Sequence, residues 1–188
     1  MTGFSLIGGG ARSGKSAFAL RQALTHPPPR LFLATSEPFD DDMRERARVH
    51  RAERGAEFDT IEAPRDLDAV VAELCRRGSG ASVVVVDCLT LWLSNLLIAG
   101  EAPGDIERRV TALARELARA PFATLLVTNE VGMGVVPETP LGRTFRDLAG
   151  RAHQNLAPHA TALYFAVLGV VLRLEPGAVT VVGAGTPP

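Results

Sequence analysis

Short apolar runs alternate with longer amphipathic stretches along most of this chain, and that alternation predicts its elements. Residues 4–7 read as a short buried strand and 17–24 as a helix. The helix must end at His26-Pro27-Pro28-Pro29, because consecutive prolines lack N–H donors and exclude helical geometry at the residue before them. A second strand follows over 31–35. Residues 36–38 turn into a helix over about 40–54, whose acids come first and whose arginines come later, an order that complements the helix dipole. Residues 58–62 predict a strand, and 65–77 a helix with Leu67, Val70, Val71 and Leu74 on its apolar face. The β-branched run 82–87 has the pattern of a central parallel strand, buried on both faces.

Residues 89–99 are apolar on nearly every side and read as a buried helix. Residues 105–119 form a helix that turns Ile106, Val110, Leu113 and Leu117 inward. A strand over 124–128 leads into the glycine-rich stretch 131–137, then a helix over 140–156 and a strand over 162–167. The tail, 170–174 and 179–182, fits either an edge hairpin around Glu175-Pro176-Gly177 or a frayed end. Strands alternating with helices imply right-handed crossovers, hence an α/β fold with a mostly parallel central sheet flanked by helices. Ligands bind such sheets beyond the carboxyl ends of the strands.

The 188 residues suffice for one core and are short for two, so a single domain over 1–188 is expected. Charged residues make up 22%, and the net charge of -1 offers no general attraction to nucleic acid or to an anionic membrane. Any phosphate binding must be local. No apolar run is long and continuous enough to span a bilayer and no signal peptide is evident, so the expected location is cytoplasmic. Cys75 and Cys88 fit reduced core thiols better than a disulfide framework.

Between the first strand and the first helix stands Gly9-Gly10-Ala11-Arg12-Ser13-Gly14-Lys15-Ser16, a glycine, four free positions, then Gly-Lys-Ser. A strand before and a helix after are the context a P-loop needs. The glycines let backbone N–H groups approach phosphate oxygens and the helix N-terminus adds partial positive charge. Lys15 would reach the outer phosphates, and the Ser16 hydroxyl would hold Mg²⁺. Asp87 closes the valine run. If its strand neighbours the first one, the carboxylate is delivered beside the loop, where it could bind Mg²⁺ directly or through water; the alternative is a polar strand end that caps the next helix.

Arg46, His50 and Arg54 recur at spacings of four, on one helix face. A neutral imidazole there could attack phosphorus, with guanidiniums neutralising the developing charge. By spacing alone, the same face fits a solvated arginine-rich surface better. Trp92 reads as core or subunit contact, and His153 and His159 have no partners at metal-ligand spacing.

The stretch Val127-Thr128-Asn129-Glu130-Val131-Gly132-Met133-Gly134-Val135-Val136-Pro137-Glu138 closely resembles a signature of the bifunctional adenosylcobinamide kinase/adenosylcobinamide-phosphate guanylyltransferase family of cobalamin biosynthesis. The resemblance extends to the loop Gly9 to Ser16, to Ala34-Thr35-Ser36-Glu37-Pro38, to Asp41-Asp42-Met43 followed by Arg46 and His50, and to the stretch 86–97. It continues in Phe145-Arg146-Asp147-Leu148-Ala149-Gly150-Arg151 and Gln154-Asn155. It implies two reactions. The γ-phosphate of ATP or GTP goes to the aminopropanol hydroxyl of adenosylcobinamide, and GMP then goes from GTP to that phosphate through a guanylylated histidine.

By the same resemblance the histidine is His50. Gly9, Gly10, Ala11, Arg12, Ser13, Gly14, Lys15 and Ser16 bind the phosphates, and Ala34, Thr35 and Ser36 lie beside the nucleotide. Arg51, Ala52, Glu53 and Arg54 surround the GTP, Glu62 and Asp87 occupy nucleotide or metal positions, and the enzyme is an Mg²⁺-dependent trimer. Val49 stands where some members carry a second histidine. The alternatives are a single-function small-molecule P-loop kinase and a non-catalytic nucleotide-binding regulatory protein.

Overall fold

A computed structural model describes residues 3–37, 55–78, 80–175 and 180–184. The helix expected over 40–54 lies outside the described residues. An eight-stranded sheet runs through the molecule: β1 (Gly3–Gly9), β2 (Arg30–Ala34), β3 (Asp59–Glu62), β4 (Val83–Asp87), β5 (Ala123–Val127), β6 (Ala162–Val167), β7 (Val170–Glu175) and β8 (Thr180–Ala184). Its order is β3-β2-β4-β5-β1-β6-β7-β8. The first six strands in that order pair in parallel, and β7 and β8 are antiparallel additions at the β6 edge. The tail therefore extends the sheet as a hairpin.

The α-helices among the described residues are α1 (Lys15–Ala23), α2 (Leu67–Arg77), α3 (Leu89–Ile98), α4 (Pro103–Arg119) and α5 (Pro140–Leu156). Alternating burial along the strands divides the core in two. Phe4, Leu6, Leu33, Val84, Val86 and Leu126 point to one face, which α2, α3, α4 and α5 cover with Leu67, Trp92, Leu113, Leu148 and their neighbours. Ile7, Phe32, Val83, Val85, Leu125 and Val127 point to the other, where α1 lays Phe18, Ala19 and Ala23. The Val83–Asp87 run is apolar at four consecutive positions because both faces of β4 are covered.

Trp92 is fully buried, donates from Nε1 to the Arg65 carbonyl at 2.9 Å, and carries the Arg109 guanidinium 5.4 Å from its ring centroid. Of the roles weighed for it, core is the one observed. Both cysteines are free thiols. Among the described residues no helix is long and apolar enough to cross a membrane.

Candidate active site

The loop between β1 and α1 sits at the carboxyl end of the sheet's middle. Gly9 is close-packed: a Cβ there would lie 2.6 Å from both the Ala166 carbonyl and Ser13 Oγ. Gly14 caps α1 at φ 87°, a left-handed conformation that glycine adopts without steric cost. These two residues let the chain fold back on itself, with the Ser13 N–H donating to the Gly10 carbonyl at 3.3 Å. Arg12, at φ 55°, and Ala11 form the exposed rim. Ser13 Oγ is buried with no protein hydrogen-bond partner, a polar atom left over inside the loop.

Lys15 opens α1 and bends back across the loop, its Nζ donating to the Gly10 carbonyl at 3.1 Å. The side chain is 7% exposed. Burial lowers its pKa, opposed by the carboxylate of Asp87 and by Cys88.

Strand register explains how Asp87 reaches the loop. Glu62, Ala34, Asp87, Val127 and Ile7 form one row across β3, β2, β4, β5 and β1. In a parallel sheet such a row shares a face, here the α1 face, so Asp87 is directed to the side where Lys15 lies. The strands of Asp87 and of the phosphate loop are not neighbours, however: β5 stands between them. Two strand spacings, about 10 Å, separate β4 from β1. Lys15 lies on the α1 side, near enough for the Asp87 carboxylate to oppose the fall of its pKa.

Thr35, just past β2, is fully buried and committed to the backbone. Its hydroxyl donates to the Cys88 carbonyl at 2.8 Å and accepts from the Cys88 N–H at 2.7 Å, across a chain whose Asp87–Cys88 peptide is cis. Asn95 of α3 donates to the Thr35 carbonyl at 2.8 Å. Ala34 is buried, Ser36 is half-buried beside it, and Glu62 is exposed at the end of edge strand β3. Burial pushes the Cys88 thiol up to about 11, with Asp87 adding to the shift, so this cysteine is a neutral packing group. His50, Arg51, Ala52, Glu53 and Arg54 lie outside the described residues, as do Arg46 and Pro38.

The donor set fits Mg²⁺. Ser16 and Asp87 offer one hydroxyl and one carboxylate, both hard oxygens, and Mg²⁺ in nucleotide sites takes one or two protein ligands plus phosphate oxygens and water. Among the described residues, no three or more His, Cys, Asp or Glu side chains gather into a cluster of the kind that holds a metal without substrate.

The chain matches the family model described as cobinamide kinase / cobinamide phosphate guanyltransferase over residues 5–174. The chain belongs to this family. It is 37% identical over 184 residues to the bifunctional adenosylcobalamin biosynthesis protein CobU of Salmonella typhimurium, covering 90% of this chain and 98% of that one. To the bifunctional protein CobP of Pseudomonas aeruginosa it is 39% identical over 170 residues, covering 90% and 96%. The corresponding figures for the CobU of Escherichia coli are 36% over 184 residues, 90% and 98%. The matched span of the cobinamide kinase family runs from β1 into β7, so it contains the phosphate loop, Asp87 and the glycine-rich stretch together.

The geometry adds a residue that spacing in the sequence did not offer. His153 of α5 places Nε2 2.8 Å from Thr128 Oγ1 and Nδ1 3.6 Å from a carboxylate oxygen of Glu130. Glu130 in turn donates its N–H to the Gly9 carbonyl at 3.0 Å. Burial holds His153 below the ordinary imidazole value, and the Glu130 carboxylate opposes that shift. A signal was present in the helical pattern. His153 stands four residues after Ala149 and three before Leu156, on the stripe that α5 buries.

Proposed function

We propose that this chain phosphorylates adenosylcobinamide with ATP or GTP, and then transfers GMP from GTP through His50 to give adenosylcobinamide-GDP. The observation that carries the reading is the family match over residues 5–174, which covers the whole phosphate site; the relatives that match it are named as bifunctional.

The loop from Gly9 to Ser16 offers backbone N–H groups and a helix N-terminus to the triphosphate. Lys15 neutralises charge on the outer phosphates, and Asp87 keeps that ammonium oriented. Mg²⁺, when bound by Ser16, Asp87 and the nucleotide, supplies further neutralisation of the β- and γ-phosphates. In the second reaction a nitrogen of His50 attacks the α-phosphorus of GTP and pyrophosphate leaves. The terminal phosphate oxygen of adenosylcobinamide phosphate then attacks the same phosphorus and releases the histidine. Arg51, Ala52, Glu53 and Arg54 follow the nucleophile around the GTP, while Ala34, Thr35, Ser36 and Glu62 line the nucleotide's side of the sheet. The reading includes a cytoplasmic homotrimer that acts on small molecules rather than nucleic acid.

The experiment is one incubation of the protein with adenosylcobinamide and Mg²⁺-ATP followed by GTP, with products read by mass. GTP labelled at the α-phosphate should leave acid-labile, base-stable label on the wild type and none on His50→Ala. Phosphorylation without any protein-bound GMP would support a single-function kinase instead. Light scattering on the purified protein checks the trimer.

A further inference from the structure

Because β5 lies between β1 and β4, the chain that leaves β5 emerges between the phosphate loop and Asp87. Thr128 donates its N–H to the Ile7 carbonyl at 3.0 Å, and Glu130 does the same to Gly9 at 3.0 Å. Residues 128–130 thus run along β1 into the first residue of the phosphate loop. Asn129 turns toward the start of α3, its amide donating to Thr90 Oγ1 at 3.1 Å. Glu130 turns toward α5. One carboxylate oxygen accepts from the Gly132 N–H at 2.6 Å; the other lies 3.6 Å from His153 Nδ1, and the side chain keeps 26% of its surface open. With its opposite nitrogen on Thr128, the imidazole is wedged between two residues of the same segment. Glu130 is fixed at three points and still reachable.

Transfer of a γ-phosphate to an alcohol releases the hydroxyl proton, and a positioned carboxylate can accept it. Among the described residues, the other carboxylates on this rim are placed for other work. Asp87 faces Lys15 across the loop. Glu37 is paired with Arg65 at 3.0 Å. Glu62 ends β3, four strands from β1, about 19 Å away. Beyond Glu130 the same loop exposes Met133, Val135 and Val136, an apolar surface unsuited to a triphosphate but suited to the hydrocarbon flank of a large acceptor. Glu130 marks the boundary between the two.

We infer that Glu130 is the general base of the phosphoryl-transfer reaction and that His153 is its positioning residue; this rests on the kinase reading above. The acceptor's O–H bond breaks and its proton passes to the carboxylate oxygen that faces His153. The acceptor oxygen bonds to the γ-phosphorus, and the bond from that phosphorus to the bridging oxygen breaks. Its electron pair leaves with the nucleoside diphosphate.

Glu130→Gln tests the assignment cleanly, since the amide oxygen can still accept from Gly132 while the base is gone. Adenosylcobinamide phosphorylation should lose about 10²- to 10⁴-fold in kcat, with KM for ATP within about threefold of wild type. His153→Phe, which can bond neither Thr128 nor Glu130, should lose about ten- to a hundredfold, and His153→Gln should recover most of it. A Glu130→Gln kcat within about threefold of wild type overturns the base, and so does a loss of ATP affinity that matches the loss of kcat, because the residue would then only be holding the loop. His153→Phe at the wild-type rate removes the positioning role. A wild-type protein that does not phosphorylate adenosylcobinamide overturns the kinase reading and this assignment with it.

Discussion

The Thr35 hydroxyl clamps the backbone of Cys88 from both sides, giving a proton to its carbonyl and taking one from its amide within a fully buried pocket. Cys88 follows Asp87 directly, so this clamp sets where the carboxylate beside Lys15 stands. Thr35→Val preserves volume and strands the Cys88 N–H away from water, while the Cys88 carbonyl keeps only the Trp92 N–H at 3.3 Å. It should cost about 2–3 kcal/mol, read as a lower urea midpoint at unchanged m-value. A loss below about 0.5 kcal/mol would show that the neighbouring backbone re-pairs without the hydroxyl.

Gly9 has no room for a methyl group, since the Ala166 carbonyl and Ser13 Oγ would each stand 2.6 Å from it. Gly9→Ala must displace either β6 or the phosphate loop. Overpacking of this kind costs about 1–3 kcal/mol, which corresponds to a ten- to hundredfold loss of ATP affinity if the loop yields. Titration calorimetry with Mg²⁺-ATP measures it. Gly10→Ala is the control for folding stability, because a Cβ on Gly10 meets nothing of the protein within 4 Å.

Local chemistry made several elements legible in advance. The helix Pro140–Leu156 has the bounds its sequence predicts, because Pro140 starts it and the Thr139 hydroxyl accepts from the Gly142 N–H at 3.1 Å. Continuous apolar runs located β4 and β5, while the sequence left the tail open between a hairpin and a frayed end, and β7 and β8 pair as a hairpin. The phosphate loop was legible because its chemistry is contiguous in the chain. Strand order was not, since nothing local states that β5 is inserted between β4 and β1. His153 escaped for the same reason: its contact with Thr128 spans 25 residues and exists only once α5 has docked over the end of β5. The role proposed for His50 came only from the resemblance, since by spacing alone Arg46, His50 and Arg54 fit a solvated surface better.

Arg109 ties α2, α3 and α4 together. It donates to both oxygens of Asp68 at 2.9 and 2.7 Å, to Glu101 at 2.8 Å and to the Arg65 carbonyl at 2.6 Å, with its guanidinium over Trp92. The group retains a quarter of its exposure, so solvent screens part of the interaction. Arg109→Ala should cost about 2 kcal/mol, a fall in Tm of about 4–8 °C. Arg109→Lys should recover less than half of that, because an ammonium cannot reproduce the planar fork that engages Asp68 while meeting the carbonyl. Full recovery by lysine would reduce the site to simple charge pairing.

The pH dependence of stability should carry a signature of His153. Burial depresses its pKa in the folded protein, with Glu130, the charged group that faces it from the neighbouring loop, acting in the opposite sense. The unfolded chain therefore binds a proton more readily than the folded one, and stability falls as pH drops from about 6.5 through the lower folded value. Above that window both states are neutral and the penalty vanishes. His153→Gln has no proton to take up, so the stability advantage of wild type over this variant should shrink steadily from pH 8 to pH 5. Urea midpoints for the two proteins across that range measure it. An advantage that grows on acidification would mean that the ion pair with Glu130 outweighs burial, and that His153 is charged in the folded enzyme.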